Sequence, residues 1–160
     1  MQLSEENNVD ICQLDGIKVH FNEFCPWDQM DSVLVRGNAF FNESILNSSD
    51  IACRFLSLKT PEEHIILSSK LNGFFSVIKI TKHLIYASVD RVRSIPIFYC
   101  LKERQLYISD NPHWIRKEIN FPNVDEIAKI EFMLTGYVTG EDTLYSEIKQ
   151  LQAGEALILT

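Results

Sequence analysis

The stretch Phe74-Phe-Ser-Val-Ile-Lys-Ile80, then Thr81-Lys82, then His83-Leu-Ile-Tyr-Ala-Ser-Val89 decides the fold class of this chain. Its two apolar arms are rich in β-branched and aromatic residues, and two polar residues separate them, which predicts a β-hairpin. Pro96-Ile-Phe-Tyr99 and Gln105-Leu-Tyr-Ile-Ser109 flank Lys102-Glu-Arg104 in the same way. The centre of the chain is therefore predicted to be antiparallel sheet.

Shorter elements precede this centre. Ile17–Phe21 and Ser32–Arg36 are predicted strands, the second ended by Gly37, and Asn38–Phe41 is a third. The apolar spacing in Ile51–Leu58 fits a helix, although it leaves a strand open. A second helix starts at Thr60-Pro-Glu-Glu63, which supplies a hydroxyl cap, a proline at the first helical position and a carboxylate at the third. It is predicted to run to Leu71 and to stop at Asn72-Gly73 in a left-handed cap.

Two helices and a strand follow the centre. Asn111-Pro112 opens a helix through Ile119, Asn123 with Glu126 caps another over Val124–Leu134 that ends at Gly136, and Glu155–Leu159 is the last strand. The order of strands, helices, strands, helices and strand predicts an α+β fold of stacked antiparallel sheets covered by helices. We expect one domain over residues 11–160, preceded by a flexible terminus at residues 1–10.

Composition excludes several classes of function. The chain has 160 residues and a net charge of −7, and its densest basic stretch, Arg91–Arg93, lies beside Asp90. Nucleic acids and anionic membranes bind clustered cationic faces, so neither is an expected partner. Met1–Asp10 is polar and acidic, unlike a signal peptide or anchor. The four cysteines have no CxxC spacing, which together with the missing signal predicts reduced thiols in a cytoplasmic protein.

The residues by themselves reveal no catalytic constellation. The four histidines are scattered without metal-binding spacing, so no metal site is predicted. Asp90 with Arg91 and Arg93 is either an anion site or, as we favour, a structural ion pair that fixes the turn before Pro96. Trp27 and Trp114 are predicted to be core or half-buried anchors.

Three stretches resemble the amidotransferase domain of asparagine synthetases, in the same order. They are Leu71-Asn-Gly-Phe-Phe-Ser-Val-Ile78, Asp90-Arg-Val-Arg-Ser-Ile-Pro-Ile-Phe-Tyr99, and Phe132-Met-Leu-Thr-Gly-Tyr-Val-Thr-Gly-Glu-Asp-Thr-Leu-Tyr145 with Ile148-Lys-Gln-Leu-Gln-Ala-Gly154. The shared motif residues include Asp90, Arg91, Pro96, Gly136 and Gly140. The residues Arg91-Val-Arg-Ser-Ile-Pro96 and Gly136-Tyr-Val-Thr-Gly140 resemble the divergent, bacterial branch of asparagine synthetase-like proteins. The resemblance implies an N-terminal-nucleophile hydrolase fold, a four-layer αββα sandwich of antiparallel sheets.

The resemblance also implies a chemistry. In active members an N-terminal cysteine attacks the glutamine amide, its own α-amine acts as base, and an Asn-Gly pair stabilises the oxyanion. An arginine and an aspartate hold the glutamine backbone groups. The released ammonia passes to a second domain, where Mg-ATP activates the acceptor carboxylate.

This chain departs from that pattern at its functional positions. Gln2 stands where the nucleophilic cysteine is required, and Cys12 lacks the expected glycine-rich sequence after it. Val35-Arg36-Gly37-Asn38 resembles the family's V-N-G-E, which places Arg36 where the oxyanion asparagine belongs. Ser49-Asp50 resembles the pair that binds the glutamine amine, although Asp50 as a helix cap is the simpler interpretation. The segment before Ile17 is too short for the family's front, so the fold is predicted to be truncated there.

These departures predict a catalytically inactive glutaminase-like domain with a vestigial glutamine pocket of Arg36, Gly37, Asn38 and Asp50 and no catalytic residue. It would dock on an ATP-dependent synthetase domain, in the same polypeptide or a separate one, and a homodimer is possible. Mg-ATP would belong to that partner and no cofactor to this chain. Two alternatives stay open. One is a processed or rearranged amidotransferase that supplies ammonia for asparagine synthesis, with Cys12 as its nucleophile after removal of an eleven-residue leader. The other is an amino-acid sensor that binds a carboxylate through Arg36.

Overall fold

Two mostly antiparallel sheets and four helices make up the α+β structure. The computed structural model describes residues 16–22 and 25–160. Gln2 and Cys12, and the terminus expected at residues 1–10, lie outside the described residues. No helix among the described residues has both the length and the apolar character that a membrane crossing requires.

The larger sheet contains the first predicted hairpin. Its strands lie in the order β10 (Ala156–Leu159), β6 (Ile85–Val89), β5 (Asn72–Ile80), β3 (Val33–Phe41) and β2 (Asp28–Met30), with β4 (Ser44–Leu46) also paired to β3. Every pairing in it is antiparallel. The β5–β6 hairpin is confirmed. Its turn is closed at Thr81, whose Oγ1 accepts hydrogen bonds from the backbone N–H groups of His83 and Leu84.

The smaller sheet contains the second predicted hairpin. Its order is β1 (Ile17–His20), β8 (Gln105–Ser109), β7 (Phe98–Lys102) and β9 (Lys149–Gln150). The β7–β8 hairpin turns at Glu103 and Arg104, with φ of 52° and 66°. Strand β1 pairs with β8 in parallel, which makes this sheet mixed.

The helices are α1 (Ser48–Leu56), α2 (Pro61–Lys70), α3 (Pro112–Glu118) and α4 (Glu126–Thr135). The predicted capping box of α2 is confirmed, because Thr60 and Glu63 cap each other's backbone N–H groups. The cap predicted for α4 is wrong. Asp125, not Asn123, is the N-cap, and its carboxylate accepts from the N–H groups of Ile127 and Ala128. Gly136 ends α4 in the left-handed conformation, as predicted.

Two glycine predictions are also wrong. Gly37 does not end a strand, because β3 continues through it to Phe41, and Gly73 does not form a left-handed cap, because it lies inside β5. Both are required by close approach of the two paired strands. A Cβ on Gly37 would lie 2.0 Å from the carbonyl oxygen of Phe74, and a Cβ on Gly73 would lie 2.4 Å from that of Asn38. Gly37 additionally has a φ of 108°, which favours glycine.

Three apolar cores order the elements. The first lies between the sheets and joins residues such as Leu34, Ile78 and Ala87 of the larger sheet to Leu106 and Ile108 of the smaller one. The second packs α1 and Leu67 of α2 on the opposite face of the larger sheet. The third packs α3 on β7 and β8. This arrangement is compatible with the sandwich that the sequence predicts.

Candidate functional site

Strand β3 carries Arg36 to the side of the larger sheet that faces the smaller one. Side chains alternate along a strand. Val33 and Val35 accordingly pack in the helix-side core and Leu34 in the inter-sheet core, which gives Arg36 the same side as Leu34. The Arg36 guanidinium lies 3.8 Å from a carboxylate oxygen of Asp110, which directly follows β8. An ion pair therefore bridges the two sheets at the first residue of the predicted pocket.

Besides this ion pair, two hydrogen-bond donors hold Asp110 in place. The indole N–H of Trp27 donates to Oδ2 at 3.1 Å, and the backbone N–H of Asn22 donates to Oδ1 at 3.1 Å. Trp27 is buried, as predicted, and stacks on Phe21 with ring centroids 4.2 Å apart. The Asp110 side chain is 5% exposed, against 31% for Arg36. The carboxylate is thus a fixed, buried acceptor, and the arginine is its more exposed partner.

Gly37 and Asn38 continue β3 beyond the ion pair. The carbonyl of Gly37 accepts a hydrogen bond of 2.9 Å from the hydroxyl of Ser48, the first residue of α1. Asn38 is exposed. Gly37 therefore lies against the beginning of α1, whereas Arg36 forms the ion pair and Asn38 is exposed to solvent.

Asp50 has a capping role, but not at the position expected. The N-cap of α1 is Asn47, and Asp50 is the third helical residue of a reciprocal capping box. Its carboxylate accepts from the Asn47 N–H at 3.2 Å, and its own N–H donates to the Asn47 side chain at 2.9 Å. Helix α1 packs on the face of β3 opposite Arg36. Within residues 16–22 and 25–160, no hydrogen bond or salt bridge joins Asp50 to Arg36.

Asp90 organises the turn after β6, but the predicted ion pair with its neighbouring arginines is wrong. The buried carboxylate accepts three backbone N–H groups, from Phe75 at 3.2 Å, Val92 at 2.8 Å and Ser94 at 3.0 Å. Arg91 reaches away and donates to the carbonyl of Ser69 at 2.7 Å, near the end of α2. A carboxylate at the start of a tight turn satisfies backbone donors directly, so no cation is required there.

The remaining motif residues are structural in their contacts. Pro96 is half-buried between the buried side chains of Ile95 and Ile97. Gly140 has a φ of 72°, and its carbonyl accepts from the side-chain amides of Gln150 and Gln152. Gly136 and Gly140 thus both have positive φ, which favours glycine, and Pro96 lies in the segment between β6 and β7.

Two buried basic groups were not predicted by the sequence. His64 is fully buried, its Nδ1 lies 2.6 Å from the carbonyl of Thr60, and burial lowers the pKa of its imidazole. The Lys79 ammonium donates to the carbonyls of Phe55, Leu56 and Leu58 at 2.7–3.2 Å and thus closes the end of α1. The alternation of side chains along β5 places Lys79 on the helix side. The sequence does not show, however, that three carbonyl groups at the end of α1 lie within reach of its ammonium group.

Neither a metal site nor a known relative adds to this picture. In the part of the chain that the structure describes, no group of three or more histidine, cysteine, aspartate or glutamate side chains is arranged to hold a metal ion. Comparison of the chain with protein-family models, with curated proteins and with solved structures finds no match. The function must therefore be argued from the site and from the sequence motifs.

Proposed function

We propose that this chain is a catalytically inactive glutaminase-like domain of an asparagine synthetase-like protein, and that it serves as a structural and docking module for an ATP-dependent, amide-forming synthetase domain. The proposal starts from the three motif stretches. The order of helices, sheet, sheet and helix supports an N-terminal-nucleophile hydrolase fold for it. Inactivity then follows from what stands at the inferred catalytic positions.

The observation that carries the proposal is the Arg36–Asp110 ion pair. By the motif, Arg36 stands where an active domain presents a neutral asparagine donor to the developing oxyanion. Here the guanidinium is already engaged, and the fixed negative charge of Asp110 beside it would oppose a second negative charge. Removal of one oxyanion donor costs about 100- to 1,000-fold in rate, and a nearby carboxylate would add to that loss.

The described thiols offer no substitute nucleophile. The chemistry needs a thiol on a residue whose own α-amine is free. Cys25, Cys53 and Cys100 are free thiols, but each lies inside the chain with its nitrogen in a peptide bond. Burial additionally raises the pKa of the Cys100 thiol, which disfavours the reactive thiolate.

A domain that does not hydrolyse glutamine can still act as a structural and docking module. Free ammonia or another amine would then supply the nitrogen, and the partner domain would bind Mg-ATP and activate the acceptor. The three apolar cores, and the turns at Asp90, Gly136 and Gly140, support the domain as a stable platform.

The test is a glutaminase assay on the purified chain. Glutamine labelled with ¹⁵N at the amide is incubated with the protein, and ¹⁵N-ammonium is measured by NMR. We expect no release above the rate without protein. Cys12→Ala is the matched variant, since the alternative of an active amidotransferase places the nucleophile there. Ammonium release that is present in the parent chain and absent in Cys12→Ala would overturn the proposal.

A further inference from the structure

A cavity of about 190 Å³ lies on the helix side of the larger sheet, between α2, β6 and β10. Ser88 of β6 and Ala156 of β10 are directly paired across the two strands, and both have small side chains. Space is therefore left between the sheet and α2 at this pair. Among the described residues that line the cavity, none belongs to the predicted glutamine pocket, and Arg36 lies on the opposite side of this sheet.

Three hydroxyl groups form a connected chain on the wall of the cavity. Ser68 Oγ lies 2.7 Å from Tyr86 Oη and 3.1 Å from Ser88 Oγ. The Tyr86 hydroxyl donates to the carbonyl of His64 at 3.4 Å. Because a carbonyl oxygen only accepts, this order makes Ser68 donate to Tyr86 and Ser88 donate to Ser68. All three hydroxyl protons are then used, so Ser88 offers lone pairs to the cavity and calls for a hydrogen-bond donor.

Arg91 lies at the rim of the same cavity. Its Cα is 3.9 Å from the position that a Cβ on Gly154 would take, and its guanidinium donates to the carbonyl of Ser69 at 2.7 Å. Gly154 precedes β10 and Ser69 lies in the last turn of α2, so the exposed side chain reaches across the rim from one wall to the other. Ser69 occupies one of the guanidinium N–H groups, and those that remain suit a carboxylate.

Asp90 also lines the cavity and decides where an anionic group can lie. Its buried carboxylate accepts backbone N–H groups and would repel a second carboxylate in the depth of the cavity. An anionic group is therefore favoured at the rim, beside Arg91. A neutral donor is favoured in the depth, at Ser88, because burial of a charge costs more than burial of a hydrogen-bonded polar group.

We propose that this cavity binds a short carboxylate whose tail ends in a hydroxyl group. The carboxylate pairs with Arg91, the methylene groups pack on Leu71 and Phe75, and the hydroxyl donates to Ser88. An apolar cavity of about 150 Å³ takes a benzene molecule, so this one takes a ligand of about six to nine non-hydrogen atoms. Because the site is separate from the predicted glutamine pocket, we expect binding whether or not the domain hydrolyses glutamine.

Titration of the ¹⁵N-labelled chain with 5-hydroxypentanoate, a ligand in this size range, tests the site by NMR. Pentanoate lacks the donor, and pentan-1-ol lacks the carboxylate. We expect saturable shifts at the amides of Ser88, Arg91 and Ala156, with binding about fivefold weaker for pentanoate and about tenfold weaker for pentan-1-ol. Absence of saturable shifts below about 20 mM, shifts centred elsewhere, or equal binding by either control ligand would overturn the proposal.

Two substitutions test the two polar contacts separately. Ser88→Ala is expected to weaken binding of 5-hydroxypentanoate to the level of pentanoate and to leave pentanoate binding unchanged, which general damage to the fold would not do. Arg91→Met is expected to weaken both acids about tenfold. Arg93→Met is the matched control, since Arg93 lies in the same turn but outside the lining of this cavity, and it is expected to keep the parent affinity.

Loss of both acids in Ser88→Ala, or equal effects of the two arginine variants, would remove the assigned contacts and with them the proposal. The comparison of the three ligands on the parent chain needs no substitution. It therefore decides the proposal even where a variant does not fold.

Discussion

The guanidinium of Arg36 on strand β3 and the carboxylate of Asp110 after strand β8 lie 3.8 Å apart and connect the two sheets. The carboxylate also accepts the indole N–H of Trp27 and the backbone N–H of Asn22. Asp110 therefore ties three separate segments of the chain together, and Arg36 is its only charged partner among the described residues. This asymmetry makes the two residues unequal in their contribution to stability.

Asp110→Ala is predicted to destabilise the protein by about 3 kcal/mol, because it leaves the partly buried cation of Arg36 and the part-buried indole N–H of Trp27 without their carboxylate partner. Arg36→Ala is predicted to cost about 1 kcal/mol, because Asp110 keeps its two other donors. Denaturant unfolding of both variants and of the double variant measures these values. The double variant is expected to lose less than the sum, and a larger loss for Arg36→Ala than for Asp110→Ala would contradict the assignment.

Asp90→Ala is predicted to be among the most destabilising single substitutions, at about 3 kcal/mol or more. The buried N–H of Phe75 and the part-buried N–H groups of Val92 and Ser94 lose their acceptor, and an unsatisfied buried donor costs about 1–3 kcal/mol. Asp142→Ala is the matched control, since its carboxylate is exposed and pairs with Lys149 at the surface. Thermal unfolding compares the two, and equal effects would show that Asp90 does not organise its turn.

Gly37→Ala is predicted to destabilise the protein by more than 3 kcal/mol, since its Cβ would lie 2.0 Å from the carbonyl oxygen of Phe74 in the paired strand. Gly140→Ala separates this steric effect from that of backbone conformation. Gly140 also has a positive φ, but a Cβ there meets no atom within 4 Å, so a cost of about 1 kcal/mol is expected. Similar midpoints of urea unfolding for both variants would rule out the close strand approach.

His64 is predicted to make stability depend on pH below neutrality. Burial lowers the pKa of His64 in the folded protein, whereas the unfolded chain keeps the ordinary value of about 6.5. Above that value both states are neutral, and as the pH falls from it towards the folded pKa the unfolded state binds the proton first. The free energy of unfolding therefore falls, at up to about 1.4 kcal/mol for each pH unit.

The His64→Gln variant isolates this contribution. Its unfolding free energy between pH 7.5 and 5 is expected to fall less steeply than that of the parent chain. Identical slopes for His64→Gln and the parent chain would mean that folding does not lower the pKa of His64, which would contradict the prediction.

The sequence predicted the elements whose signals are local. The hairpins at Thr81 and at Glu103-Arg104 and the capping box of Thr60 and Glu63 depend on neighbouring residues, and all three are present. The errors concern contacts between distant segments. In the sequence Gly37 resembles a strand end, but in the structure β5 packs closely against it. Asp90 likewise resembles half of an ion pair in the sequence, but in the structure it accepts the backbone N–H of Phe75.

The candidate site was predictable only in part for the same reason. The motif marks Arg36 and Gly37, but their partners Asp110 and Ser48 lie 74 and 11 residues away, and no spacing rule connects them. The exposure of the apolar side chains of α4 could not be predicted either, because the apolar spacing in 124–134 is the same for a covered and an uncovered helix.

Covalent trapping with a diazoketone analogue of glutamine tests the central claim most directly, because this reagent alkylates the thiol of a working glutaminase site. We predict that the intact mass of the purified chain stays unchanged at a concentration that labels an active amidotransferase completely, and that excess glutamine makes no difference. A single adduct of one analogue per chain, mapped to a cysteine and prevented by glutamine, would contradict it.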